Sequence, residues 1–316
     1  MTVGKLGSLA IQTVPASNLT QFLNWIHAGT PQAEVDAIIS EYGSRQRLGW
    51  MPAPIEVRSN EQTVAGVYFT SLPGDLGMLG AVRSMEGTET LAAQLMTTQV
   101  QEFRRRLPQC HIQAAIEHSD IRTQNLLKLA GFEQLTEVQQ RWLGIENRQF
   151  LSDEFSGSEN SATTGGLALD WRAASELSRI RFERLLGETF DGTLDCPELN
   201  GVRTHLQVLK TFLVGQPFRT GASSWSTAWL NGQLAGCLLL TAHNRELVEL
   251  AYMGLVPAAR GKRLGTSLIE MAKRQSLQWG ASMLVVAVDS RNTPALHLYQ
   301  RSGFQFHRRL RVYWYR

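Results

Sequence analysis

Two stretches of the chain, 172 residues apart, share one pattern of glycines, aromatic residues and apolar positions. Residues 114–143 align with residues 286–315 without a gap, so that Gly131-Phe132 falls on Gly303-Phe304. Upstream, the segment QTVAGVYF in the first half resembles GQLAGCLL in the second. Because these matches keep the same order, they predict a duplicated unit and therefore two related domains.

A polar segment at residues 146–166, rich in Ser, Thr, Gly and acidic residues, separates the two halves. Such a composition is typical of an interdomain linker. The sequence therefore predicts a first domain over residues 1–145, a linker over 146–166 and a second domain over 167–316. The chain has 316 residues, of which 43% are hydrophobic, which is enough for two domains with buried cores.

The composition also bears on where the protein works. No apolar run approaches the roughly 20 residues of a membrane span, and the first residues lack the features of a signal peptide. Cys110, Cys196 and Cys237 are odd in number and far apart, which fits neither a disulfide framework nor a zinc site. We therefore expect a cytoplasmic protein that binds no membrane and no metal.

The net charge of +3 is unevenly distributed. Residues 1–150 hold 12 Lys and Arg against 14 Asp and Glu, whereas residues 257–316 hold 11 cations against Glu270 and Asp289. A basic end of this kind indicates an anionic partner. Nucleic acid and a phosphate-bearing cofactor are both candidates on charge alone.

The second half begins with strands and a helix that have clear local signals. Asn231-Gly232 lies between two β runs and predicts a hairpin turn. Residues 246–256 predict a further strand. The apolar positions from Leu264 to about Trp279 follow a helical period, and Gly280 is expected to end that helix.

The remaining elements complete a mixed α/β order. The apolar run at residues 283–288 is typical of a strand buried on both faces of a sheet. Thr293 is expected to cap the next helix, with Pro294 in its first turn and Gly303 at its end. Residues 304–316 predict a final strand. Antiparallel strands followed by strand–helix–strand–helix–strand indicate a mixed sheet.

The helix that starts near Leu264 is preceded by a cluster of glycines and cations. Arg260, Gly261, Lys262 and Arg263 stand directly before it. A helix start already has unpaired N–H groups and a partial positive charge, so added cations are mildly unfavourable for the helix itself. The arrangement is explained if an anion binds there.

This order of elements resembles the GNAT superfamily of acyl-CoA N-acyltransferases. The pyrophosphate loop of that family reads Gln/Arg-x-x-Gly-x-Gly/Ala, and here Arg260–Gly265 occupies it, with Arg263 in place of the first Gly. The second signature of the family is an Asn before a short helix that carries a Tyr and ends in Gly-Phe. Asn292, Tyr299 and Gly303-Phe304 match it. The resemblance covers about 150 residues of the second half and extends more weakly over the first.

The resemblance implies a fold and a cosubstrate. The fold is α/β: a tandem GNAT fold with two mixed, mostly antiparallel sheets flanked by helices. The cosubstrate is acetyl-CoA, with its pyrophosphate on the backbone N–H groups of the loop and its thioester oxygen near the end of the preceding strand. The residues implied to bind it are Leu255, Val256, Arg260, Gly261, Lys262, Arg263, Leu264, Gly265, Thr266 and Asn292. Asn292 can equally cap its helix, and these two roles are compatible.

Two residues are implied to act in the chemistry. Tyr299 resembles the general acid of the family, whose hydroxyl protonates the departing sulfur. Glu249 lies six residues before Leu255, where some members of the family have a general base. Strand alternation places Glu249, Met253 and Leu255 on one face. A half-buried helix aromatic and an edge glutamate are the structural alternatives for Tyr299 and Glu249.

The first half departs from the family where cofactor binding is decided. Glu86 and Glu89 stand near the positions of Arg260 and Arg263, and Leu127 stands where Tyr299 does. Acidic residues at the loop repel pyrophosphate, so we expect this copy to be degenerate. In the second half, the acidic residues of the segment FDGTLDCPELNGVR could hold a cationic acceptor or serve as caps and turn residues; these are Asp191, Asp195 and Glu198.

Taken with the resemblance, the residues indicate an N-acetyltransferase that moves an acetyl group from acetyl-CoA to a primary amine by direct transfer in a ternary complex. Two alternatives stay open. One is an acyl-CoA sensor without turnover. The other is a nucleic-acid-binding protein, for which the sequence offers a basic end but no fold signature. The amine remains unidentified, and a monomer and a homodimer are both compatible with the sequence.

Overall fold

The computed structural model describes residues 3–6, 9–48, 50–145, 168–212 and 225–316. The chain divides into two compact units: unit 1 comprises Met1–Leu135 with Leu310–Arg316, and unit 2 comprises Thr136–Arg309. The predicted linker at 146–166 lies outside the described residues. The predicted domain boundaries at residues 145 and 167 stay a prediction. The two compact units do not follow the chain order, since unit 1 also includes the last seven residues of the chain.

Unit 1 combines a mixed sheet with helices. Its strands pair in chain order, antiparallel except for the parallel pair β5–β6. These strands are β1 (Val3–Leu6), β2 (Leu9–Thr13), β3 (Ile55–Ser59), β4 (Gln62–Leu72), β5 (Leu76–Ser84) and β6 (His111–Glu117). Its helices are α1 (Leu19–Ile26), α2 (Gln32–Leu48), α3 (Glu89–Arg106) and α4 (Ile121–Leu129).

Unit 2 has the same plan. Its strands pair in the order β7–β12–β11–β10–β9–β8, antiparallel except for the parallel pair β11–β12. The strands of this order are β7 (Glu133–Gly144), β8 (Asp170–Ala173), β9 (Trp225–Leu230), β10 (Gln233–Ala242), β11 (Leu247–Leu255) and β12 (Met283–Asp289). The last strand of the chain is β13 (Gln305–Tyr315). The helices are α5 (Arg179–Phe190), α6 (His205–Phe212), α7 (Gly265–Gln278) and α8 (Thr293–Arg301). The mixed, mostly antiparallel sheets with flanking helices confirm the predicted fold class.

The last strand of each half pairs in the unit of the other half. Val138–Gly144 of β7 pairs with β12 in unit 2, although β7 follows α4 of unit 1. Leu310–Tyr315 of β13 pairs with β6 in unit 1, although β13 follows α8 of unit 2. Each unit is therefore built from both halves of the sequence.

Both faces of the unit 2 sheet carry helices. Ile269 and Ala272 of α7 pack with Leu238 and Leu284 in one apolar cluster. Residues of α5 pack on the opposite face of β9 and β10, against Trp225, Cys237 and Leu239. Burial of these side chains is the main stabilising contribution to the unit, at roughly 1.5–3 kcal/mol for each large apolar side chain.

Three local predictions are confirmed. Asn231 and Gly232 have φ values of +50° and +74°, as a two-residue hairpin of the mirror-image type requires. Helix α7 ends at Gln278, and Gly280 follows it with φ +79°. Gly303 follows α8 with φ +90°. These positive φ values favour glycine or asparagine, which is why the sequence signals were reliable.

Two other predictions are wrong. Strand β12 is not buried on both faces: Leu284, Val286 and Val288 are buried, but Met283 and Ala287 on the other face are exposed. The described helix α5 covers β9 and β10 on that face, so the outer residues of β12 remain open. The cap of α8 is Asn292 rather than Thr293, because the Asn292 side-chain oxygen accepts the Ala295 N–H at 3.3 Å.

No described helix is long and apolar enough to cross a membrane. Cys110, Cys196 and Cys237 are all free thiols.

Candidate functional site

Unit 2 contains a cleft of about 890 Å³ beside the carboxyl end of β11. The loop before α7 and the first turns of α7 and α8 form its sides, and the loop after α5 forms a further wall. Its lining includes the following predicted site residues: Leu255, Arg260, Gly261, Arg263, Leu264, Gly265, Thr266, Asn292 and Tyr299. The structure therefore brings together residues that lie more than 40 positions apart in the sequence.

A β-bulge in β11 shapes the cleft. Leu239 of β10 is opposite Tyr252, but the next residue, Leu240, is opposite Leu250, so Ala251 is an extra residue on β11. A bulge bends its strand and reverses the inside–outside alternation beyond it. Val248 and Leu250 pack in the same apolar cluster as Met253, which shows the reversal.

The bulge corrects one expectation. Glu249, Met253 and Leu255 were predicted to share a face, but the extra residue places Glu249 on the face opposite Met253 and Leu255. Further along the strand, Gly254 is closely packed: a Cβ there would lie 2.6 Å from the Tyr252 hydroxyl oxygen and 2.7 Å from Thr189 Cβ.

The loop before α7 presents backbone donors to the cleft. Gly261 has φ +73° and Arg263 has φ +60°, followed by Leu264 in the right-handed helical region. Alternation of this kind turns successive N–H groups toward one point and makes an anion-binding concavity. Within the described ranges, no protein group accepts a hydrogen bond from the N–H groups of residues 261–266. The helix dipole of α7 adds positive potential at the same place.

Gly265 is needed for space and not for its backbone angle. A Cβ at this position would lie 2.8 Å from Leu298 Cδ2 on α8, closer than van der Waals contact allows. The glycine therefore lets α8 pack near the start of α7, with the Leu298 side chain in the cleft wall.

Arg260 was expected to bind the pyrophosphate, but its guanidinium is hydrogen-bonded to backbone carbonyl oxygens. Its Nε donates to the Leu255 carbonyl oxygen at 3.0 Å, Nη2 to the Thr189 carbonyl oxygen at 3.0 Å, and Nη1 to the Gly192 carbonyl oxygen at 3.5 Å. The guanidinium thus joins the end of β11 to the end of α5. The arginine of the loop motif holds the cleft walls together through these three bonds.

Val256 and Lys262 do not line the cleft. The Val256 N–H donates to the Ala235 carbonyl oxygen at 2.9 Å, so this backbone donor is already used. Leu255 lines the cleft at the end of β11, directly before Val256.

Tyr299 lies deep in the cleft wall. It is 5% exposed, and its ring packs edge-on against Phe304 at 5.3 Å between centroids. Burial raises the pKa of its hydroxyl, and the negative charge of Asp195 and the nearby Tyr252 raise the pKa further. The hydroxyl is therefore protonated at neutral pH, as a proton donor must be, although the raised pKa also makes it a weaker acid than an exposed tyrosine.

Glu249 lies outside the residues that line the cleft. Its Oε2 is 2.7 Å from His243 Nε2, and both side chains are partly exposed, at 35% and 44%. Its role as a general base stays a prediction, and this structure places it in contact with His243 and on β11, a strand that pairs with β10 and β12.

A buried carboxylate that sequence reasoning did not single out anchors one wall of the cleft. Asp289, at the end of β12, has a fully buried side chain. It accepts hydrogen bonds from the Arg291 N–H at 2.8 Å, from Arg291 Nη2 at 2.7 Å, from Thr136 Oγ1 at 2.8 Å and from the Cys196 N–H at 3.1 Å. Burial by itself raises the pKa of Asp289, but these hydrogen bonds outweigh it and lower the pKa to about 2.

Arg291 extends this network to the surface. Its guanidinium binds Glu198 in a bidentate pair as well as Asp289. Glu198 lies in the loop after α5, so the pair fixes that loop to the end of β12. The residues of this hydrogen-bond network, among them Thr136, Cys196 and Asp289, are distant in sequence. The acidic composition of residues 191–198 is therefore the only sequence signal that could have indicated the network.

Arg263 is expected to limit stability, because a non-glycine residue in the left-handed region costs about 1–2 kcal/mol. Arg263→Gly should therefore raise the free energy of unfolding by about 1 kcal/mol, measured by urea denaturation. Arg263→Ala is the matched control, since it removes the same charge but keeps a Cβ at φ +60°. Equal stabilities for the two variants would contradict the strain at this position.

Residues 196–304 match the model of the Acetyltransferase (GNAT) family. Two curated relatives are similar over part of their length. The mycothiol acetyltransferase of Corynebacterium efficiens is 33% identical over 85 residues, which are 27% of this chain and 29% of that protein. The mycothiol acetyltransferase of Corynebacterium glutamicum is 32% identical over 76 residues, 24% of this chain and 26% of that protein. The chain thus spans less than a third of the length of these relatives.

Solved structures resemble the whole fold. A GCN5-related N-acetyltransferase from Sphaerobacter thermophilus has a TM-score of 0.64 at 13% identity, with 98% of this chain and 96% of that chain covered. A tandem GNAT protein from the clavulanic acid biosynthesis pathway has a TM-score of 0.57 at 15% identity, with 97% and 98% covered. At these identities the likeness shows the fold.

Proposed function

We propose that this chain, whose residues 196–304 match the model of the GNAT acetyltransferase family, transfers an acetyl group from acetyl-CoA to a primary amine in a ternary complex. The observation that carries the proposal is that one cleft is lined both by the loop before α7 and by the buried Tyr299. Among the described residues, no group accepts a hydrogen bond from the N–H groups of residues 261–266.

The loop before α7 suits the anionic part of the cosubstrate. Its N–H groups and the start of α7 would hold the pyrophosphate. Arg263 and Arg301 also line the cleft and add positive charge there. Their side chains are exposed, so they can reach a phosphate without loss of an existing partner among the described residues.

The region around Tyr299 suits the transfer itself. When acetyl-CoA is bound, it supplies a thioester carbon for attack by the amine. Tyr299 would hold a proton beside the sulfur and donate it as the carbon–sulfur bond breaks. The apolar residues around Tyr299 would exclude water, so that the proton passes to the sulfur and not to solvent.

Tyr299→Phe tests the proposal. The variant should release thiol from acetyl-CoA at least about tenfold more slowly, because only the proton donor is removed, while acetyl-CoA affinity stays unchanged. Thiol release with a panel of primary amines, including the acceptor of the mycothiol acetyltransferases, would identify the substrate first. Product masses would establish acetylation.

Tyr313→Phe is the matched control, because Tyr313 is a fully buried tyrosine in the core of unit 1. A Tyr299→Phe variant with the rate of the unmodified protein would contradict the acid role. Acetyl-CoA binding without thiol release for any amine would favour the sensor. Salt-dependent binding of generic duplex DNA is the corresponding test of the nucleic-acid alternative.

A further inference from the structure

The cleft is lined by one acidic residue and several cations. Asp195 is the only Asp or Glu among its described lining residues, whereas Arg260, Arg263 and Arg301 supply its positive charge. Asp195 belongs to the loop after α5, and Thr193 and Leu194 beside it also line the cleft. Among the described lining residues, Asp195 is therefore the group that a cationic ligand would contact.

Contacts from three directions hold Asp195 in place. Its Oδ1 accepts the Asp289 N–H at 2.7 Å, and the Asn292 side chain also bonds to its carboxylate. Its own N–H donates to Thr193 Oγ1 at 3.1 Å. The next residue, Cys196, donates its N–H to Asp289 Oδ2 at 3.1 Å. Asp195 is an exposed residue, and these contacts hold its carboxylate in one position.

Asp195 lies near the predicted proton donor. Burial is the main cause of the raised pKa values of Tyr299 and Tyr252, and the negative charge of Asp195 raises both further. Tyr299 comes from α8 and Tyr252 from β11, so the carboxylate is close to both elements. Thr189 Oγ1 lies 2.9 Å from the Tyr252 hydroxyl oxygen and adds a polar pair to the same cleft.

The two neighbouring carboxylates have opposite electrostatic environments. The pKa of Asp195 is raised, chiefly because the surrounding protein desolvates it and also because Asp289 is negatively charged. The pKa of Asp289 is lowered by its hydrogen bonds with Arg291, Thr136 and Cys196. Carboxylates whose environments separate their pKa values take different roles in catalytic sites. Of these two carboxylates, only Asp195 lines the cleft, so it is the one that can contact an acceptor.

We propose that Asp195 binds the ammonium group of a cationic primary amine in the cleft and takes its proton before the transfer. This inference rests on the proposed function and specifies the acceptor and the base. An accessible carboxylate that is held in place on the cleft lining can bind an ammonium ion through charge-assisted hydrogen bonds, and transfer of one proton leaves a neutral amine.

The protons balance in this scheme. Asp195 takes one proton from the ammonium, and the neutral amine nitrogen forms a bond to the thioester carbon. As the carbon–sulfur bond breaks, Tyr299 gives its proton to the sulfur. The second proton lost by the nitrogen returns to the Tyr299 oxygen, and Asp195 releases its proton to solvent.

Asp195→Asn tests the inference, because the amide oxygen can still accept the Asp289 N–H. Binding of the most active amine to the CoA-loaded protein, measured by calorimetry, should weaken about tenfold to a hundredfold. The dependence of kcat/KM for the amine on pH should lose its acidic limb. Binding of acetyl-CoA should not change. Asp191→Asn is the matched control, since Asp191 is in the same loop, is exposed and does not line the cleft.

The outcomes separate this inference from the proposed function. If the unmodified protein acetylates amines and Asp195→Asn keeps both its amine affinity and its pH profile, the inference is overturned while the function stands. If no amine gives turnover, the same calorimetry is run with each amine of the panel. Amine binding that Asp195→Asn weakens would support the site without catalysis, and no amine binding at all would overturn the inference.

Discussion

Gly265→Glu should abolish acetyl-CoA binding in a chain that stays folded. Gly265 is the first residue of α7, and among the described residues no group accepts a hydrogen bond from the N–H groups of residues 261–266. A carboxylate there would face the negative pyrophosphate directly. Two unit charges about 4 Å apart interact by about 4 kcal/mol at an effective dielectric constant of about 20. Even half of that repulsion weakens binding by more than about tenfold.

Gly265→Ala separates charge from space. Its Cβ would press on Leu298 Cδ2 at 2.8 Å, and Leu298 is a flexible side chain that can move by a rotamer change. We therefore expect the alanine variant to bind acetyl-CoA with a modest loss and the glutamate variant to show no measurable binding. Equal affinities for the two variants would show that the phosphate lies elsewhere.

The same titration gives the stoichiometry. We expect one CoA per chain, because the corresponding loop of unit 1 has Glu86 and Glu89 in place of cations. Glu89 forms an exposed ion pair with Arg122 at 3.5 Å, which offsets its charge only partly. Binding of two CoA molecules by the unmodified chain, or of one CoA molecule by Gly265→Glu, would show that unit 1 binds the cofactor.

The parts of the fold that could be predicted from the sequence have short-range causes. Asn231-Gly232, Gly280 and Gly303 each meet a local backbone requirement, so each was identified without knowledge of the fold. The β-bulge at Ala251 has no such signal. It depends on how β10 and β11 pair, and a single extra residue reverses the faces of everything beyond it.

The sequence motifs indicated which residues line the cleft, but they did not indicate the hydrogen bonds that these residues make. The loop, Asn292 and Tyr299 come together in one cleft, as their motif positions implied. The three carbonyl contacts of Arg260 could not be foreseen, because two of the carbonyls belong to Thr189 and Gly192, about 70 positions away. A motif specifies which residue type is present, whereas its partners depend on the tertiary fold.

Asp289→Asn should strongly destabilise the folded chain. The side chain is fully buried, and its oxygens accept bonds from Arg291, Thr136 and the Cys196 N–H. An asparagine removes the charge that pairs with Arg291 and turns an NH₂ group toward other donors. Arg291 is about half exposed and still bound to Glu198, so it is not left as an uncompensated buried charge. The lowered pKa of Asp289 corresponds to about 2 kcal/mol, so urea unfolding at pH 7 should show a loss of roughly that size.

Glu198→Gln is the control variant, because Glu198 is the exposed carboxylate that pairs with the same arginine, Arg291. The Glu198 and Arg291 side chains are 38% and 48% exposed, so solvent screens their pair. Such pairs contribute about 0–1 kcal/mol. A loss of several kcal/mol in Glu198→Gln would mean that the exposed end, and not the buried carboxylate, holds the loop after α5.

The stabilisation by Asp289 should also depend on pH with a definite sign. Its folded-state pKa of about 2 lies below the ordinary value of 3.8, so the stabilising contribution is fully present above about pH 4 and is lost as the pH falls through 2. The shift corresponds to about 2 kcal/mol, of which roughly half is lost by pH 3. The difference in unfolding free energy between the unmodified protein and Asp289→Asn should therefore shrink by about 1 kcal/mol between pH 7 and pH 3. A difference that is constant over this range would mean that Asp289 has the same pKa in the folded and the unfolded chain. The hydrogen bonds to its carboxylate would then not stabilise the cleft wall.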